Sequence, residues 1–224
     1  MKVTVVIPCY NEEKTIKNIL ERCKQYCDEI IVVISKNSTD NTAKIASSVN
    51  GVKTIFDNGK GKGEALRLTF NIIKNGIIVT IDADASHIPE DIPKIVEPIK
   101  QNKADMVIAS RILGGSEELS GDFDKMLRLF FSNRIADIIN WRFSASIRDT
   151  QNGFRAIKAD VVKKLNLKSD IFDIETEMVM KCLKNKFRIL EVPSKEFKRK
   201  YGSSGISLRK HGIIYIFTVI KNLF

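Results

Sequence analysis

Ile78-Val79-Thr80-Ile81-Asp82-Ala83-Asp84 is the stretch on which the fold turns. An apolar, β-branched run ends abruptly in two aspartates one residue apart. Such a run reads as a buried strand. Two carboxylates at its C-terminal tip repel each other unless a cation sits with them. Asp82 and Asp84 are therefore candidate ligands for Mg²⁺ or Mn²⁺ carrying a diphosphate. The plain alternative is a strand that runs into an Asx turn, with Asp84 bonding its own backbone. The surrounding pattern favours the site.

On the N-terminal side, strand and helix patterns alternate. Strands are expected at 2–8, 29–34 and 52–56, and 77–82 is the fourth. Helical patterns follow Asn11, begin after the capping cluster Asn37-Ser38-Thr39-Asp40, and cover 65–73. On the C-terminal side come a helix over 89–100 and a strand over 105–110. This repetition predicts an α/β fold with a doubly wound, mostly parallel sheet flanked by helices. Ligands of such sheets bind at the carboxyl ends of the strands. Pro8 to Glu12, Ser35 to Asp40, Asp82 to Asp84 and Arg111 all fall at those ends. Beyond 112 the rhythm changes. A polar loop spans 114–121, helices are expected over 125–141 and 170–185, a turn-rich segment over 149–155 and a strand over 187–193. Residues 206–224 form a last amphipathic segment. The expectation is a single domain over 1–224, its stretches 1–112 and 113–205 followed by the amphipathic segment at 206–224.

Charge narrows the partners. A formal net charge of +10 suits an anionic ligand or surface: nucleotide, lipid phosphate, membrane or nucleic acid. No nucleic-acid motif accompanies the charge, so nucleic acid is not expected. The four cysteines lack zinc spacing and read as reduced thiols. No basic-then-apolar leader is visible, and no run reaches the roughly 18–20 apolar residues that span a bilayer. A cytoplasmic protein is expected, peripheral at the cytoplasmic face of the membrane.

Several further residues are candidates on chemical grounds. Asn58-Gly-Lys-Gly-Lys62-Gly63 offers backbone N–H groups and cations to an anion, without the spacing of a Walker loop; a solvated hairpin tip is the alternative. Arg111, directly after the fifth strand, suits bidentate phosphate contact. Arg128 and Ser132 share one helix face and could share a phosphate, although most helical arginines are surface residues. His87 reads as an ordinary loop histidine rather than a ligand, and His211 is isolated. No nucleophile elbow is present, which speaks against a serine hydrolase. Residues 206–224 carry isoleucines and Phe217 among basic residues. They suit either an interfacial helix on anionic headgroups or a helix packed on the sheet.

Read together, these residues resemble the family 2 inverting GT-A glycosyltransferases, and more closely the dolichol- and polyprenyl-phosphate sugar synthases of mannose type. The resemblance rests on Val5-Val-Ile-Pro-Cys-Tyr-Asn-Glu-Glu13, Ser38-Thr-Asp-Asn-Thr42, Gly61-Lys-Gly-Glu-Ala-Leu66 and Asp82-Ala-Asp84. It continues through Ala109-Ser-Arg111, Asp149-Thr-Gln-Asn-Gly-Phe-Arg155, Glu191-Val-Pro193 and Arg199-Lys-Tyr-Gly202, in the family's order. It implies the GT-A nucleotide-diphospho-sugar transferase fold as a single catalytic domain over 1–224, with a nucleotide-sugar-binding half at 1–112 and an acceptor half at 113–205, and a GDP- or UDP-sugar donor. Pro8, Tyr10, Glu12, Asp40, Lys62, Gly63, Asp82 and Arg199 would line the donor site, and Asp82 and Asp84 would hold Mg²⁺ or Mn²⁺. Arg111, Arg128 and Ser132 would hold the phosphate of a polyprenyl acceptor, with a membrane surface or a small membrane protein as partner. Asp149 is the candidate base if the acceptor is a hydroxyl. The chain departs from the family where Ser35-Lys36-Asn37 replaces Asp-Asp-Gly after the second strand, which leaves the base unassigned. A hydroxyl acceptor, a sugar-phosphate nucleotidyltransferase and a non-catalytic membrane-associated binding protein are the alternative functions.

Overall fold

The structure is a computed structural model that describes residues 1–119, 123–202 and 208–223. Among these, seven strands form one sheet. In chain order the elements are β1 (Val3–Cys9), α1 (Ile16–Cys23), β2 (Glu29–Ile34), α2 (Thr42–Ser48), β3 (Val52–Phe56) and α3 (Lys62–Ile72). Then follow β4 (Ile77–Thr80), α4 (Ile92–Lys100), β5 (Met106–Ser110), α5 (Arg111–Gly114) and α6 (Phe123–Phe143). The chain ends with β6 (Arg155–Lys158), α7 (Ala159–Lys164), α8 (Ile174–Lys184), β7 (Ile189–Pro193) and α9 (Leu208–Leu223).

The sheet order is β3-β2-β1-β4-β6-β5-β7. All neighbours are parallel except β6, which runs antiparallel to both β4 and β5. The central strands alternate apolar side chains to two faces. Val5, Ile7, Val32, Ile34 and Val79 point into one core with α1 and α4. Val6, Ile31, Val33, Ile78 and Ile157 point into the other, with α3, α7, α8 and Val219 of α9. Burial on both sides explains why these strands read as continuous apolar runs. The chain winds outward from β1 through β2 to β3, then returns to place β4 on the other side of β1. The crevice at this reversal, above the carboxyl ends of β1 and β4, is where ligands of doubly wound sheets sit.

Two local readings are corrected. The sequence pattern puts Arg155 at the end of a turn-rich segment and leaves 156–164 unassigned, whereas Arg155–Lys158 is a central strand. A four-residue strand is too short to display a period. The glycine-lysine stretch is not all loop. Lys62 and Gly63 form the first turn of α3, and Glu64 N donates to Asp170 O at 3.0 Å. Gly63 is required here by close approach. A Cβ would lie 2.5 Å from the carbonyl oxygen of Ser169 and 2.8 Å from the backbone of Asp170 and Ile171. Because the obstacle is backbone, Gly63→Ala should cost about 2 kcal/mol and lower the melting temperature by about 5 °C, measured by thermal denaturation.

Candidate functional site

The site is built from strand tips. β1 delivers Pro8, Tyr10 and Glu12, and β4 delivers Asp82 and Asp84. These residues line one cavity of about 760 Å³ together with Asp40, Lys62 and Arg199. That volume suits a ligand of nucleotide-sugar size. Gly63, expected among them, packs behind the cavity against residues 169–171.

Each aspartate has its own cation. Lys62 Nζ lies 2.7 Å from Asp82 Oδ1 and 2.9 Å from Glu175 Oε1, bridging the two carboxylates. Arg199 Nη2 lies 2.8 Å from Asp84 Oδ2, and its Nη1 reaches Glu12 at 3.3 Å. Asp84 Oδ1 accepts from Ser86 N at 2.9 Å and Ser86 Oγ at 2.6 Å, which is the Asx turn the sequence offers as an alternative. Turn and site thus coexist: one oxygen holds the turn and the other faces Arg199. Burial works against the charge on Asp82, but Lys62 and then His87 outweigh it and hold the carboxyl far below its usual range. Lys62 is itself partly buried, which disfavours its charge, yet Asp82 and Glu175 hold it firmly protonated. His87 Nε2 lies 3.8 Å from Asp82 Oδ2, and its ring packs on Phe154. Burial favours the neutral imidazole, but Asp82 prevails and raises its pKa.

Gly153 makes the Lys62–Asp82 pair possible. A Cβ there would stand 2.5 Å from Lys62 Nζ and 3.0 Å from Asp82 Oδ2. Thr80 Oγ1 pins this glycine by donating to its carbonyl at 2.6 Å.

Glu12 differs from the aspartates. Burial pushes its carboxyl up to about 7, despite the lowering pull of Arg199 and Thr15. Its pKa in the fold therefore exceeds its ordinary 4.5, and the unfolded chain ionises first. Stability is lost as pH rises from about 4.5 to 7 and stays lost above. Glu12→Gln removes this penalty. Its melting-temperature advantage over the native chain should be absent at pH 4.5 and grow to about 3 °C by pH 8, a modest figure because the side chain keeps contact with water.

A second, smaller cavity of about 80 Å³ adjoins the first. Asp82, Asp84, Lys62 and Arg199 line both cavities, and Arg111 and Arg128 line the second. Arg128 is half-buried and makes no ion pair or hydrogen bond among the described residues. Ser132 is buried one turn further along α6 and does not line that cavity. Arg111 is fully engaged. Its Nε lies 3.0 Å from Asp149 Oδ2, its Nη2 3.3 Å from Asp149 Oδ1, and its Nη1 3.3 Å from Glu196 Oε1. Burial lowers its pKa and these two carboxylates more than restore it. Asp149 is buried, and both of its oxygens already accept, from Arg111 and from Asn152 N. In this arrangement Asp149 orients Arg111.

Glu175 and Glu196 escape the sequence reading, and His87, read as an ordinary loop histidine, is the buried neighbour of Asp82. A signal existed for Glu175: Ile171, Ile174, Glu175 and Met178 are spaced as one helical face, which places a carboxylate on an apolar stripe.

A GT-A fold with paired aspartates between a donor-sized cavity and an arginine-lined one defines a glycosyltransferase. The chain belongs to glycosyl transferase family 2, whose family model matches residues 4–165. The dolichol-phosphate mannosyltransferase of Pyrococcus furiosus is 32% identical over 200 residues, covering 86% of this chain and 56% of its own. The UDP-N-acetylglucosamine–dolichyl-phosphate N-acetylglucosaminyltransferase of Methanococcus voltae is 28% identical over 222 residues, 89% and 87% of the two chains. Glucosyl-3-phosphoglycerate synthase of Mycobacterium tuberculosis, crystallised with Mn²⁺, UDP and phosphoglyceric acid, superposes with a TM-score of 0.77 at 20% identity. That match covers 99% of this chain and 78% of the synthase. At such identity it speaks for the fold alone.

Proposed function

We propose that this protein transfers a sugar from a nucleotide-diphosphate sugar to a polyprenyl phosphate, with inversion at the anomeric carbon and with Mg²⁺ or Mn²⁺ as cofactor. The observation that carries this reading is the shared wall. Asp82, Asp84, Lys62 and Arg199 face a donor-sized cavity on one side and the cavity of Arg111 and Arg128 on the other.

The donor set fits the metal. Two carboxylates offer hard oxygens, and Mg²⁺ is commonly held by one or two carboxylates with substrate phosphates completing the shell. Among the described residues no cluster of three or more metal-ligating side chains exists, which agrees with a metal shared with the substrate rather than caged by protein. Asp82 and Asp84 would hold it, and its chemistry there is to stabilise charge on the departing diphosphate. Lys62 and Arg199 add fixed positive charge at the same place. Arg128 holds the acceptor phosphate, whose oxygen forms the new bond to the anomeric carbon while the bond to the nucleoside diphosphate breaks. A phosphate monoester is already ionised near neutral pH, so no base is needed. This accords with Asp149 being occupied by Arg111. A hydroxyl acceptor would need a base.

The acceptor lipid also suits the surface. On α6, Phe123, Met126, Phe130 and Trp141 are exposed, as are Ile213, Ile216 and Phe217 on α9. The two helices pack together, Arg142 Nε donating to Leu223 O at 2.7 Å. Among the described residues no helix is long and apolar enough to cross a membrane. An apolar surface of this kind lies on a bilayer, with Arg128 close to the headgroups.

A panel of GDP- and UDP-sugars with a short polyprenyl phosphate and Mg²⁺ or Mn²⁺, read by mass spectrometry, tests the proposal. A metal-dependent glycosyl phospholipid is the expected product. Transfer only to hydroxyl acceptors would move the reading to that class. Pyrophosphate release from a sugar phosphate and a nucleoside triphosphate would move it to a nucleotidyltransferase. Absence of nucleotide-sugar binding by calorimetry would leave a non-catalytic protein. In a vesicle co-sedimentation assay with anionic lipid, Phe217→Glu should reduce binding by about tenfold.

A further inference from the structure

The donor cavity has two ends. The aspartates and their cations occupy one, and the tips of β2 and β3 form the other, where Val33, Ser35, Asn37, Asp57 and Gly59 line the wall. At the tip of β2 the chain carries Ser35-Lys36-Asn37, which brings no carboxylate to the cavity. A carboxylate from the neighbouring strand stands beside that tip. Asp57 follows β3 directly, and its N–H donates to Ile34 O, the last carbonyl of β2, at 3.0 Å. Asp57 is only 6% exposed, yet it lines the cavity. Its Oδ1 accepts from Lys36 N at 2.8 Å and from Gly59 N at 2.7 Å. Its Oδ2 accepts no hydrogen bond among the described residues.

That oxygen is not sealed from solvent, as an ionised group without a protein partner requires, because burying it unpaired would cost free energy. Two backbone donors lock Oδ1 and fix the carboxylate plane, so Oδ2 is a preset acceptor at the end of the cavity away from the phosphates. The adjoining lining from Pro8, Val33 and the exposed ring of Tyr10 suits a flat heterocycle. We propose that Asp57 reads the nucleobase of the donor by accepting its ring N–H. It thereby selects keto bases, uracil through N3–H or guanine through N1–H. Cytosine and adenine present a lone pair at the equivalent position, and two acceptors face to face repel. The inference rests on the donor reading above and adds base selection to it.

The test measures binding of UDP, GDP, CDP and ADP, each with Mg²⁺, by isothermal titration calorimetry. The native chain should bind UDP or GDP at least about tenfold more tightly than CDP and ADP, the share of one hydrogen bond to a charged group. Whichever of the two binds more tightly identifies the base. Asp57→Asn keeps a carbonyl oxygen for Lys36 N and Gly59 N and turns the other acceptor into a donor. It should lose about tenfold for the keto base and gain for CDP. A ligand-side arm leaves the protein untouched: N3-methyl-UDP, or N1-methyl-GDP, should bind about tenfold more weakly than its parent. Equal binding of all four diphosphates overturns the proposal. So does equal weakening of all four by Asp57→Asn, which marks a purely structural residue, and so does full affinity for the methylated ligand. If no nucleoside diphosphate binds at all, the donor reading itself fails, and the base inference fails with it.

Discussion

Asp82→Asn should lower kcat/KM for sugar transfer by about 10³-fold while leaving the fold intact. The amide keeps the shape of the carboxylate and an acceptor for Lys62, but it removes the charge that would hold a divalent ion. The fold survives because Lys62 is not orphaned: Glu175 remains 2.9 Å from its ammonium. A buried cation that lost its only partner would cost several kcal/mol and blur the result. The measurement is steady-state kinetics with a nucleotide sugar at saturating metal, beside a melting curve for each protein. Asp84→Asn should be similarly slow, because its Oδ2 and Arg199 lie on the same wall. Unchanged turnover in the double variant Asp82→Asn, Asp84→Asn would sink the catalytic reading.

Arg128→Ala should reduce transfer to a polyprenyl phosphate by about 10²-fold and leave nucleotide affinity as it was. The reasoning is one of availability. Arg111 already satisfies Asp149 and Glu196, whereas Arg128 lines the same small cavity with no ionic partner among the described residues. A half-buried guanidinium without a counter-ion among the described residues can accept an anion. The relevant readout is kcat/KM for the lipid phosphate against the donor's dissociation constant. An equal loss in both, or no loss in either, would mean that the acceptor phosphate sits elsewhere.

What the chain discloses before folding, and what it conceals, follows from the range of the interactions involved. β1, β2 and β4 are buried on both faces, so Val3 to Cys9 and Ile77 to Thr80 announce themselves as apolar runs. The Asp82–Asp84 spacing is local and equally plain. Lys62 reads as a loop cation because its partners, Asp82 and Glu175, are remote in sequence. Only tertiary packing moves it into the first turn of α3. Glu175 is hidden for the same reason, and Asp57 draws no notice because the cavity it lines is assembled from other strands. Asp149 looks like a free carboxylate in a turn until Arg111 closes on it. Local chemistry is visible from spacing, whereas a residue's electrostatic partner is not.

The antiparallel strand β6 has a consequence for the size of what is handled. It lies between β4, which ends at the aspartates, and β5, which ends at Arg111. Neighbouring strands are about 4.8 Å apart, so this one interposed ribbon sets the two tips roughly 10 Å from each other. In an in-line displacement the arriving and leaving oxygens face each other across a single carbon, and tips so spaced leave room for that centre and the groups on either side of it. The strand thus acts as a gauge block, holding the acidic tip of β4 and the basic tip of β5 at a fixed interval.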